Sequence, residues 1–253
     1  MYKLGITIWT IIVILQLSSV GLGLNELPPY FPRCRRNEPN MEKCLIKATE
    51  QVRSFVAEGI KDLIPATKSI VIPFVTLEQR GNRALNFKVK ITNLTILGVD
   101  NYKFKRYTFD PKELTSYAVV DLPHIYLEGE FDLVGNLFFA NVKGAGNLYG
   151  NITDSQISTN FTMRIVKRKG IEYLENTKVE AKVHVGTIAG YSFDGVFKEN
   201  KDIDLLTSTV LKNNLRSLID ETAPVIEPAL ATYLEKGMLK PMETIPYNNI
   251  FPK

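Results

Sequence analysis

The 253 residues carry 31 Lys and Arg against 27 Asp and Glu, a formal charge of +4, and 45% of them are apolar. So mild a balance excludes the strongly basic surface of a nucleic-acid binder or a polybasic membrane patch, while the apolar content is ample for a large core. Two histidines and two cysteines in the whole chain leave little material for metal or nucleophile chemistry.

In chain order, residues 1–23 read as an export leader. Lys3 precedes an apolar run from Leu4 to Leu17, and small or weakly polar residues follow from Ser18 to Gly23. That is the order of a secretory signal peptide, with cleavage expected after Gly23. The apolar run of 14 residues is short of the roughly 20 that cross a bilayer, so stable membrane insertion is not expected. Loss of Lys3 lowers the formal charge from +4 to +3. Residues 24–253 show no repeat, low-complexity tract or linker and are expected to form one domain.

Cys34 and Cys44 follow in "FPRCRRNEPNMEKC". A zinc site needs further Cys or His ligands nearby, and a redox pair is normally C-x-x-C; neither pattern is present. A structural disulfide or two inert thiols remain, and an oxidising destination favours the disulfide. It would clasp the N-terminal arm onto the element starting at Asn40. That element is an amphipathic helix: Met41, Leu45, Ala48, Val52, Phe55, Val56, Ile60 and Leu63 recur at steps of three and four. Asn40 is the expected N-cap and Pro65 the expected terminator.

From Ser69 to about Lys198 the period becomes two. Phe87, Val89 and Ile91 alternate with Lys88 and Lys90, and Leu127, Phe131 and Leu133 with Glu128, Glu130 and Asp132. Phe161 and Met163 alternate with Asn160, Thr162 and Arg164, and Val179, Ala181 and Val183 with Lys178, Glu180, Lys182 and His184. Strands with one apolar and one polar face predict an antiparallel sheet wet on one side.

Three N-glycosylation sequons begin at Asn93, Asn151 and Asn160. Asn160 is on the polar parity. Asn93 would point inward unless the phase slips near Thr92–Leu94, so a β-bulge is expected there. Asn151 is expected in a Gly150-Asn151 turn. After Lys198 two helical stripes, Ile203 to Ile219 and Val225 to Leu234, predict a long helix kinked near Thr222–Pro224 and ending by Gly237.

Catalytic patterns are weak. The nearest approach to G-x-S-x-G is Gly190-Tyr191-Ser192-Phe193-Asp194, with Asp in place of the last Gly. Ser192, His124 and His184 all fall on the polar parity, so an esterase is disfavoured and no enzyme is expected. No phosphate loop or metal cluster appears, hence no cofactor. The helical stripes need an apolar partner, and only the inward sheet face is long enough to supply it. Glycines 129, 144, 146 and 195 interrupt that face and either leave space for a guest or permit sharp curvature; ordinary close packing is the alternative.

Taken together, the leader, the N-terminal Cys pair opening a helix, the exit "GIKDLIPATKSIVIPFVTLEQ", the long antiparallel stretch and the ending "LKNNLRSLIDETAPVIEPALATYLEKGMLKPMETIPYNNIFPK" resemble the takeout and juvenile-hormone-binding protein family of insects, within the tubular lipid-binding superfamily. The carriers proper have a second disulfide for which this chain has no cysteine, so it is similar to the takeout branch. The resemblance implies an α+β domain: a highly curved antiparallel sheet wrapped around a long C-terminal helix, enclosing a hydrophobic tunnel. It also implies a secreted, monomeric carrier of a small apolar ligand, a terpenoid hormone, fatty acid or related lipid. On inward parity the tunnel lining would be Phe87, Val89, Leu127, Phe131, Phe138, Phe161, Met163, Val183, Phe193, Leu206 and Val210, with Tyr191, Tyr117 and Thr159 as polar groups. The alternative is a secreted protein-interaction or membrane-contact module with a filled core.

Overall fold

The computed structural model describes residues 26–80, 85–137, 140–194 and 201–253; the leader 1–23 and Phe138 lie outside them. Helix α1 (Met41–Glu58) is followed by strands β1 (Ser69–Gln79) and β2 (Leu85–Leu97), a 3₁₀ turn (Val99–Asn101), then β3 (Lys103–Asp110), β4 (Thr115–Leu137), β5 (Ala140–Arg168), β6 (Ile171–His184) and β7 (Thr187–Asp194). Helix α2 (Lys201–Tyr233) runs into a π turn (Leu234–Met238), and the short helices α3 (Lys240–Thr244) and α4 (Tyr247–Ile250) close the chain.

The start of α1 is as expected: the Asn40 side chain accepts the Lys43 N–H at 3.0 Å, satisfying one of the helix's open donors. The expected end is corrected. The helix stops at Gly59, whose φ of 83° suits only glycine, and not at Pro65. Ile60 and Leu63 kept the apolar rhythm because both are buried, but from a turn closed by an Ile60–Ile64 bridge. Burial outlasted the helix.

The seven strands form one antiparallel sheet in the order β1-β2-β4-β5-β6, with β3 added to β4 and β7 added to β5. The β4–β5 ladder is its spine, from Thr115 opposite Thr162 to Leu137 opposite Ala140. A crease crosses this spine. Leu122 and Ser155 form a buried pair, and buried Ile125 faces half-buried Ile152, with two residues of each strand between the pairs. Along the same line β2 gives way to β3 at Gly98, and β6 to β7 at Gly186. A Cβ on Gly98 would stand 2.3 Å from the His124 carbonyl oxygen, and one on Gly186 2.1 Å from that of Thr153; the backbones meet there only because both residues are glycine.

The predicted bulge is present. The β2–β4 register shifts between Thr92 and Thr95, and Asn93 is exposed at φ 51°. The predicted Gly150-Asn151 turn is not: β5 runs straight through both residues, which pair with Leu127 and Tyr126. A Gly-Asn pair signals a turn only where the strand has no partners left, and here it has one on each side.

Most of the core gathers at the α1 end, where Leu45, Val52 and Val56 meet Phe109, Phe161, Met163, Leu174, Ile245, Tyr247 and Phe251. Leu174 and Ile245 are fully buried. The Cys34–Cys44 disulfide is formed. It clasps more than the helix start: Arg36 donates its backbone N–H to the Pro252 carbonyl at 2.8 Å and its Nε to the Phe251 carbonyl at 2.8 Å, so arm and tail are bound together.

Helix α2 remains one helix through Pro224 and Pro228. It packs along β6 and also reaches β1, bridging the two ends of the open sheet. Arg216 and Glu227 help to fasten it. Arg216 donates to the Val185 and Gly186 carbonyls at 2.6 and 2.9 Å, and Glu227 accepts from Lys182 Nζ at 2.8 Å and the Val183 N–H at 3.3 Å.

A smaller cluster of Tyr102, Leu122 and Ile125 fills the crease. The Tyr102 hydroxyl donates to the Thr49 carbonyl at 3.2 Å, tying sheet to α1. Burial pushes this phenol from 10.0 to about 12, against a smaller opposing pull from Arg53. The folded form therefore holds its proton more tightly than the unfolded chain. The stability this confers is complete below pH 10 and is lost as pH rises toward 12. Alkaline unfolding followed by circular dichroism is expected to show that decline, and Tyr102→Phe is expected to flatten it. An unchanged slope in Tyr102→Phe would place the alkaline sensitivity elsewhere.

Candidate functional site

Beyond the crease, away from α1, the inner sheet face carries Phe87 and Val89 of β2, Leu127, Phe131 and Leu133 of β4, and Leu148 of β5. Phe87, Phe131 and Leu148 are buried, and Val89 and Leu127 half-buried. On this inner face, from Leu127 to Leu133 of β4, each large residue faces a glycine across the β4–β5 ladder: Leu127 opposite Gly150, Leu148 opposite Gly129, Phe131 opposite Gly146, Leu133 opposite Gly144. Such alternation of large and small suits the inside of a tightly curved sheet. At Gly150 the free space is already used, since an added Cβ would come within 2.9 Å of Leu127 Cδ1. At Gly129 it lets the β2 bulge approach, with the Thr92 carbonyl oxygen 3.2 Å from where a Cβ would stand. These glycines serve curvature and neighbouring bulk.

The residues expected on inward parity separate into groups. Phe87, Val89, Leu127 and Phe131 share this inner face. Phe161 and Met163 point inward too, but at the α1 end, where they pack with Tyr107, Leu239, Met242 and Phe251 around a void of about 10 Å³, too small for more than one water. Val183 is half-buried on β6 beside α2. Tyr191 pairs with Gly150 and is 38% exposed. Thr159 is buried opposite Ala118. Tyr117 is corrected: it stands on the outer face, paired with Asn160 and 36% exposed, because the inward parity of β4 shifts at the crease. The side chains of Phe193, Leu206 and Val210 lie outside the described residues, although β7 and α2 include their positions.

His124 and His184 are exposed, as their parity predicted. Among the described residues no cluster of three or more His, Cys, Asp or Glu is placed to hold a metal ion, and no helix is long and apolar enough to cross a membrane. Sequence reasoning missed Arg36, Arg216 and Glu227. Each acts through a contact far along the chain, which leaves no local periodicity to read.

A long, open antiparallel sheet with an apolar inner face, bridged end to end by one C-terminal helix, defines a takeout-type fold. Compared with known proteins, the chain belongs to the haemolymph juvenile hormone binding protein family, whose sequence model matches residues 10–252. It is similar to the circadian clock-controlled protein daywake of Drosophila yakuba, at 24% identity over 234 residues and 88% of both chains. The Drosophila melanogaster daywake protein is 24% identical over 238 residues, 89% of this chain and 88% of the relative. The crystal structure of Takeout 1 from Epiphyas postvittana superposes with a TM-score of 0.73 at 17% identity, covering 88% of this chain and all of that one.

Proposed function

We propose that the protein is a secreted carrier that holds a small hydrophobic molecule between the inner sheet face and α2. The carrying observation is the apolar row Phe87, Val89, Leu127 and Phe131, in which Phe87 stands opposite Gly135 of β4, and Leu127 and Phe131 opposite Gly150 and Gly146 of β5. The guest is a terpenoid, fatty acid or related lipid. Its transfer from water supplies about 0.8 kcal/mol per buried methylene, less the cost of immobilisation, so no charged contact is needed. Family membership and the disulfide support the reading, the latter because such bonds persist in oxidising compartments. The protein acts by binding, not by catalysis, and as a monomer.

Native mass spectrometry of the secreted protein is expected to show a co-purified lipid, displaceable by a fluorescent fatty acid. Val89→Trp, which puts bulk into the chamber from a half-buried position, is expected to weaken fatty-acid binding by at least ~10-fold, a change of about 1.4 kcal/mol. Absence of any guest across a broad lipid panel, with Val89→Trp indistinguishable from the parent, would favour a protein-contact module with a filled core.

A further inference from the structure

The three sequons are alike in sequence and unlike in the fold. Asn160 is exposed on the outer row of β5, with exposed Thr162 two residues on and buried Phe161 between them. Directly across on β4 stands Tyr117, 36% exposed on the same face. Both line an open groove of about 730 Å³ that is walled by Arg36 and Glu38 of the N-terminal arm, Lys112 of the β3–β4 hairpin and Glu180 of β6. That volume lies in the range that accepts a drug-sized guest. Charged and hydrogen-bonding groups stand around the exposed Tyr117 ring, while Met41, Phe109, Pro111 and Phe161 also line the groove; polar groups beside an exposed ring suit a carbohydrate.

Asn93 is exposed at the β2 bulge, its φ of 51° setting it outside the regular ladder. Asn151 is the opposite case. It is half-buried in mid-strand between Tyr126 and Gly190, and its Oδ1 is buried without a hydrogen-bond partner among the described residues. An oligosaccharide on the Nδ2 of that amide would have to leave a half-buried mid-strand position flanked on both sides by paired strands.

We propose that Asn160 and Asn93 carry N-linked glycans, that Asn151 does not, and that the first sugars on Asn160 lie in the groove with an apolar face against the Tyr117 ring. The proposal rests on the secreted reading, since the donor, a lipid-diphosphate-linked oligosaccharide, is met on the export route. The Asn160 amide nitrogen forms a bond to the anomeric carbon of the donor as the carbon–oxygen bond to the diphosphate breaks; the lipid diphosphate leaves with the electron pair, and the amide gives up one proton.

The test is glycopeptide mass spectrometry on the full chain from secreting insect cells, run beside the full chain preceded by an added secretion leader. Nearly complete occupancy is expected at Asn160 and Asn93 and none at Asn151. The intact mass should fall by one glycan in Asn160→Gln, by one in Asn93→Gln, and by none in Asn151→Gln. Unmodified Asn160 in the leader-carrying protein overturns the proposal, and so does a glycan on Asn151 in folded protein. If only the leader-carrying protein reaches the medium, the secreted-carrier reading fails, while occupancy in that sample still decides the glycan sites. Tyr117→Ala is expected to lower the melting temperature of the glycosylated protein but not of Asn160→Gln. An equal drop in both backgrounds removes the sugar–ring contact.

Discussion

Tyr247→Ala is expected to lower the unfolding free energy by about 3–5 kcal/mol, whereas Tyr247→Phe is expected to be neutral or to stabilise by up to about 1 kcal/mol. The ring is 2% exposed, edge-on to Phe109 and Phe251 at centroid distances of 6.4 and 6.2 Å. The Arg36 guanidinium carbon sits 3.7 Å from its centroid. Truncation to alanine opens a cavity among side chains that cannot fully collapse, and also removes the cation–π contact. The hydroxyl is different: it is buried with no hydrogen-bond partner among the described residues, and burial holds the phenol above its ordinary range. Removing it relieves an uncompensated desolvation. Urea unfolding of the three proteins decides the matter, and a phenylalanine variant as unstable as the alanine one would show that the hydroxyl is satisfied after all.

Loss of the Cys34–Cys44 bond, by Cys34→Ser or by the double serine variant, is expected to cost about 2.7 kcal/mol through loop closure of the unfolded chain. For a protein of this size that lowers the melting temperature by about 5–10 °C. The effect should reach the C-terminus, since Arg36, two residues from Cys34, holds Phe251 and Pro252. Hydrogen exchange of the Phe251 amide, which donates to the Tyr247 carbonyl at 2.8 Å, is expected to accelerate with the drop in melting temperature. Melting at the parent temperature in both serine variants would mean that the arm stays docked without its covalent clasp.

Both effects belong to the α1 end, and the proposed guest chamber lies beyond the crease. Stability and binding should therefore respond to different residues: Tyr247 and Cys34 to denaturant, Val89 to ligand. Distant sites that share no partners add independently, so Val89→Trp combined with Cys34→Ser should show the sum of the two single effects. The packed end acts as an anchor. The other end carries the apolar inner row of Phe87, Val89, Leu127 and Phe131 on which the proposed carrier role rests.

Periodicity alone was sufficient for much of this. Alternation in Phe87–Ile91, Leu127–Leu133 and Val179–Val183 predicted strands and their inner faces, because a side chain in a strand has only two directions to point. The same rule exposed its own interruption at Thr92–Leu94, where a glycan-bearing Asn93 and an inward row could not both hold without a bulge. The Asn40 cap was legible for the same reason, since it rests on a contact three residues away.

Where an outcome depended on partners remote in the chain, local pattern was silent or misleading. Gly59 stopped α1 before Pro65 because Ala66 folds back against it; Asn151 stayed in a strand because β4 and β7 flank it; Tyr117 turned outward because the whole spine creases at Leu122–Ile125. The amino-acid sequence by itself determined which segments are helix or strand and which faces are apolar, since those follow from neighbours within a turn or a ladder step. Only the tertiary structure decided which strands meet, that the N-terminal arm grips the C-terminal tail, and that Phe161 and Met163 are packed shut while Phe87 and Phe131 line the other half, because these rest on side chains brought together from across the chain.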